Sequence, residues 1–110
     1  MVLVRANDLP GEALAAAAAF HARVLPDLHA VLAGGVDCLT LVFPPTDHSH
    51  RAWRLAAVQG LAREHAPLRV NALESADEAA IAAAAAFLGN APGVTGQYLP
   101  LDDAGAGPVV

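Results

Sequence analysis

The stretch that decides the fold is Cys38-Leu-Thr-Leu-Val-Phe43, followed at once by Pro44 and Pro45. Apart from Thr40 it is apolar at every position, so both faces of an extended chain would be oily, and the two prolines close it. That pattern predicts a strand covered on both sides. Such strands lie in parallel sheets, and a parallel neighbour needs a return of helix length. Both flanks supply one. Upstream, Met1 to Arg5 is a short aliphatic strand, and Asn7, Asp8 and Pro10 offer cap and first-turn chemistry for a helix from about Pro10 to Ala33. That helix should bend near Pro26 and stop at Gly34 and Gly35. Downstream, Thr46 or Asp47 caps a helix to about His65, which Pro67 ends. Arg69 to Leu73 reads as a third strand, and Ser75 with Glu78 has capping-box spacing before a helix that runs to Leu88. Gln97 to Leu101 gives a last strand. The order βαβαβαβ predicts an α/β domain over 1–102 built on a parallel sheet of about four strands, with a flexible tail over 103–110.

At 110 residues the chain is the size of one small domain, which leaves no room for separate catalytic and cofactor domains. Six arginines and no lysine stand against eleven acids, a formal charge of −5. No basic stripe exists to displace counterions, so nucleic acid is not an expected partner. Alanine supplies much of the 55% hydrophobic fraction, and no apolar run reaches membrane-spanning length. Asp8 and Glu12 precede the first apolar run where a secretory leader would be basic. Cys38 is the single cysteine, so no disulfide can form within the chain and a cytoplasmic setting is expected.

Gly93-Val-Thr-Gly96-Gln97-Tyr-Leu-Pro-Leu-Asp102 resembles the last-strand signature of short-chain dehydrogenases/reductases. Arg69-Val-Asn71-Ala72 resembles the strand before their substrate loop, in the right order and at the right separation. Ala56-Ala-Val-Gln-Gly60-Leu-Ala-Arg-Glu is similar to their active-site helix, and Ala19-Phe-His-Ala-Arg-Val-Leu-Pro26 to the helix before it. Leu3-Val-Arg-Ala-Asn7 is similar to the strand that ends in their Asn-Asn-Ala-Gly motif. The resemblance implies a Rossmann-like sheet in two or three layers that matches only the second half of the family's fold. The family binds its dinucleotide at a Gly-rich turn after the first strand. Here Gly34, Gly35 and Gly89 follow helices while Gly93 and Gly96 precede a strand, so no cofactor is expected. The family's proton relay joins a Ser after the second strand seen here to a Tyr-x-x-x-Lys on the next helix. Pro44 and Pro45 stand where the Ser belongs. Aligning on Ala56 to Gly60 puts Arg51 and Leu55 at the Tyr and Lys places, and aligning on Glu64 to Pro67 puts Asp47 and Arg51 there. Neither supplies a phenol or an ammonium, and no catalytic residue is expected.

Asp47, His48, Ser49 and His50 invite a metal or triad reading, yet His at i and i+2 point to different faces of a helix. Asp47 reads better as a cap with an ion pair to Arg51. Asp47, His50 and Arg51 remain candidate ligand contacts, with Asn71 as a strand-end polar group whose simplest role is to bond neighbouring backbone. His21, His29 and His65 read as separate packing or surface residues, and Cys38 as inert core. On the helix from Asp47, residues Leu55, Val58 and Ala62 form one apolar stripe, and Trp53, Ala57, Gly60 and Leu61 a second on nearly the opposite side. The resemblance implies that this helix and the one before it build a dimer. Sequential strands with right-handed crossovers would leave one sheet face bare, and a last helix crossing over would still leave most of it uncovered. The first strand would be an open apolar edge. The expected function is a non-catalytic, self-associating structural or binding subunit, a homodimer that touches neither nucleic acid nor membrane. Two alternatives stay open: an accessory subunit of a full-length short-chain dehydrogenase, and an enzyme with different chemistry near Asp47 to Arg51.

Overall fold

Every residue of Cys38–Phe43 is buried, as its doubly apolar sequence predicts. This strand, β2, lies between β1 (Val2–Arg5) and β3 (Arg69–Glu74), with β4 (Tyr98–Asp102) beyond, all parallel and in chain order. The computed structural model describes residues 1–102 and the backbone of 105–106. Within the expected tail, Gly105–Ala106 forms β5, antiparallel to β4; the rest of 103–110 lies outside the described residues. Among the described residues the helices are α1 (Ala13–Ala19), α2 (Leu25–Leu32), α3 (Arg51–Glu64) and α4 (Glu78–Gly89), with a 3-10 turn, His48–His50, leading into α3.

Strand alternation divides the interior into two cores. Leu39, Leu41 and Phe43 of β2 face Phe20, Leu28, Val58 and Leu61, so α1, α2 and α3 cover that side. Val42 and Leu73 face Ile81, Ala84 and Leu88 of α4 on the other. The strands follow one another in one direction, so α4 on the opposite face makes its crossover of opposite hand to the two before it. This corrects the expectation of a largely uncovered sheet face: Cys38, Thr40, Val42, Asn71 and Leu73 are all buried.

The first helix is continuous from α1 to α2 through a wider π-helical turn, Phe20–Val24. Its inward positions explain the turn. Ala16, Phe20 and, further on, Leu28 and Leu32 are buried, with Val24 packed beside them, so the stripe repeats every fourth residue. At 3.6 residues per turn such a stripe drifts by about 40° per step. The slower winding of the π-turn cancels much of that drift, and Pro26, which has no N–H to offer, follows directly in the first turn of α2.

Two caps differ from expectation because a nearer carboxylate wins. Glu12 accepts the Leu14 and Ala15 amides at 3.2 and 3.0 Å, so the helix starts later than Pro10. Asp8 instead sits in a turn at φ 59°, where its carbonyl accepts from Arg23 at 2.9 Å. At α4, Asp77 takes the Ala79 amide at 3.0 Å, while Ser75 Oγ accepts the Asp77 amide and Glu78 pairs with Arg5. The Ser75/Glu78 capping box is therefore not formed. Arg69, opening β3, donates to the Leu88 and Ala91 carbonyls at 2.8 and 2.7 Å and closes the far end of α4.

Asn71 lies mid-strand in β3, fully buried, not at the ligand-binding carboxyl end. Its Nδ2 donates to the Val94 carbonyl and its Oδ1 accepts the Gln97 amide, each at 3.0 Å, which fixes the loop into β4. Asn71→Ala strands both backbone groups away from water. It is expected to cost about 2–4 kcal/mol in urea unfolding; a loss within a few tenths would refute this role.

Candidate functional site

In open parallel sheets the carboxyl ends of the strands form the usual binding edge. Here that edge holds a depression of about 200 Å³ whose lining includes Asp47, His48, Arg51, Glu74 and Tyr98. Behind the lining residues Glu74 and Tyr98 lies Arg54, whose side chain is 2% exposed. Arg54 Nη1 donates to the Pro44 carbonyl at 3.0 Å and to the Tyr98 hydroxyl at 3.2 Å, and lies 3.8 Å from Glu74 Oε1. The guanidinium carbon lies 4.6 Å from the centre of the Phe43 ring. Tyr98 in turn donates to Glu74, whose other oxygen accepts the Thr46 amide at 3.2 Å.

These contacts act on the Tyr98 phenol. Burial, and then its hydrogen bond to Glu74, push the phenol up to about 12, against the smaller downward pull of Arg54. It keeps its proton at neutral pH. A relay tyrosine needs the reverse, a cation that makes the phenolate accessible.

The expected candidates separate into two groups. Asp47 and Arg51 do line the depression. They are not paired: among the described residues there is no Asp47–Arg51 ion pair. Asp47 accepts the Ser49 amide at 2.9 Å and the Ser49 hydroxyl, which together hold its carboxyl below the usual carboxylate range. Arg51 instead lies over the Tyr98 ring, 6.0 Å from its centre. His50 turns inward and is buried. Its Nδ1 accepts from the Trp53 indole at 3.2 Å, so Nε2 carries the proton and donates to the Gly11 carbonyl at 2.9 Å. His50 and Asn71 thus bond the scaffold and do not reach the depression.

Sequence reasoning missed Arg54, Glu74 and Tyr98 as a unit. One signal was present: the residues of α3 buried against the sheet are Arg54, Val58, Leu61 and Ala62, a helical stripe whose first member is charged. That set also corrects the two-stripe reading, since Leu61 belongs to the sheet side and Leu55 is only half-buried.

The second concavity is an apolar groove of about 330 Å³ between α2 and α3, reaching back to His21. Trp53, Ala57 and Gly60 line it, and Leu61 reaches its base from the core. Trp53 packs 5.4 Å from Phe20 and 5.6 Å from Phe43, ring centre to ring centre. A Cβ on Gly60 would meet nothing within 4 Å. At the rim, His29 and His65 meet with ring nitrogens 3.1 Å apart, which corrects the expectation that they stand separately.

Tyr98 is the sole tyrosine, so its ionisation can be read directly by ultraviolet titration. The folded chain is expected to titrate near 12 and the unfolded chain near the ordinary value of 10.0. The folded value is the higher one. Its contribution to stability is therefore complete below pH 10 and is lost as pH rises through 12. A folded midpoint at or below 10 would overturn this reading of the cluster.

A family model described as short chain dehydrogenase-like protein matches residues 4–101. No curated protein and no solved structure matches the chain. The family match runs from within β1 into β4 and so takes in all four parallel strands, both helical layers and the depression. By that match and by its alternating α/β sheet, the chain belongs to the short chain dehydrogenase-like family.

Proposed function

We propose that the chain is a non-catalytic short-chain-dehydrogenase-like subunit that pairs with a second copy of itself through the α2/α3 groove. The observation that carries this reading is the groove: mostly apolar and open, with Ala56, Ala57 and Gly60 along α3 leaving room for a second helix to approach. The helices that flank it correspond to those that build the dimer in the family. Pairing about a two-fold axis sets each groove against its own copy and closes the contact. Among the described residues β1 pairs with β2 alone, leaving its other edge free. This edge favours the second reading, in which the chain joins a full-length dehydrogenase.

The non-catalytic half of the proposal is supported by a protonated, hydrogen-bonded Tyr98 and by Pro44 and Pro45 at the place of the family's serine. Calorimetric titration with NAD and with NADP is expected to show no saturable binding at millimolar concentration. Saturation below that range would overturn it, because hydride transfer starts from a seated cofactor.

For self-association, Trp53→Glu is a poor test, since it places a charge between Phe20 and Phe43. Gly60→Glu is better: its side chain enters open space, and Glu is the better helix former by about 0.5–1 kcal/mol. Light scattering should give a dimer for the wild-type chain and a monomer for Gly60→Glu with its melting temperature kept. A monodisperse wild-type monomer that melts cooperatively, or a Gly60→Glu dimer, would refute the groove as the contact. Mixing with a full-length relative tests the second reading, which predicts a heavier mixed species.

A further inference from the structure

We infer that His29, Glu64 and His65 form a site for one four-coordinate zinc ion, joining the ends of α2 and α3 at the rim of the groove. Three potential ligand atoms converge there: His29 Nδ1, His65 Nε2 and Glu64 Oε1, all within 4.8 Å of one another. The nitrogens are 3.1 Å apart, and the oxygen is 3.7 Å from His29 and 3.5 Å from His65. A tetrahedral ion with bonds of about 2.0–2.1 Å holds its ligand atoms about 3.3–3.4 Å apart. The three atoms therefore already mark out one face of such a tetrahedron.

The carboxylate is what separates this from a simple imidazole pair. One proton between the rings accounts for the nitrogen contact, but Glu64 stands too far from either ring for a good hydrogen bond. Its distances suit two ligands of one ion. Two imidazoles and one carboxylate form a donor set for zinc, whereas magnesium and calcium take oxygen.

The backbone favours a cation at the same point. His29 is in the last turn of α2 and His65 is the C-cap of α3, so two helix carboxyl ends, each with partial negative charge, converge on it. Glu64 closes α3 and is anchored by the same turn. In the single chain the side chains of His29 and Glu64 are 41% and 63% exposed, so the fourth position is open there to a water ligand. Residues 36 apart in the chain would then be bridged by the ion.

The test is zinc titration of the whole chain after chelator treatment and dialysis, against a competing chromogenic chelator. One zinc per chain is expected, with a raised melting temperature, because an ion that binds only the folded state stabilises it. Cobalt(II) in its place should give the visible absorption of a four-coordinate centre. His29→Ala and His65→Ala should each weaken zinc binding by about tenfold or more and remove the melting shift, with Glu64→Gln intermediate. These side chains are at least partly exposed, so each variant is expected to fold, which circular dichroism checks. Absence of stoichiometric zinc binding by the wild-type chain, or binding unchanged in His29→Ala and His65→Ala, would overturn the site. The pairing proposed above does not depend on it, since zinc is read by stoichiometry and pairing by mass.

Discussion

A guanidinium sealed from water sets the seating of the helix that carries most of the surface features. Burying a charge is tolerable only where partners replace its hydration, and Arg54 Nη1 finds them in the Pro44 carbonyl, the Tyr98 hydroxyl and the Glu74 carboxylate, while the buried Nε has no hydrogen-bond partner among the described residues. Those partners belong to the segments that leave β2, close β3 and open β4. Taking one away from such a group costs about 3–5 kcal/mol. Arg54 therefore fixes both the rotation and the height of α3 against the sheet. Once α3 is so placed, its other residues have no freedom left: Arg51 falls over Tyr98, Trp53 and Gly60 fall in the groove, and Glu64 and His65 arrive beside His29.

The fold was legible where a residue's role depends on its near neighbours. The doubly apolar run Cys38–Phe43, its two prolines and the glycines after the helices were enough to recover four strands, their order in the chain and their parallel sense. Caps were harder, because Glu12 and Asp77 compete with polar residues a few places away and only the path of the chain decides among them. The Arg54 cluster was not legible. Its members lie 20 to 44 positions apart, and an arginine on a helix ordinarily reads as a solvated residue. His29 and His65 were hidden for the same reason: each is unremarkable on its own helix, and only the packing of α2 on α3 brings their rings together.

Family membership and local chemistry diverge at one place in this chain. The family match spans residues 4–101, and the parallel, alternating α/β sheet is Rossmann-like. At the carboxyl edge, where such a domain does its chemistry, a buried ion pair and a proton-retaining phenol occupy the space between strands. Glu74 and Tyr98, which brace the sheet through Arg54, also line the depression at that edge.

The π-turn at Phe20–Val24 bears on how the sequence could have changed length. A π-turn is an α-helix accommodating one surplus residue. Counted from Ala16, Leu28 lies twelve residues on; with one fewer it would lie eleven on, close to three full α-helical turns. A relative with a single deletion in this segment should run straight through as ordinary helix and still bury the counterparts of Ala16, Phe20, Leu28 and Leu32. The turn is thus a place where the chain can lose a residue without moving its core.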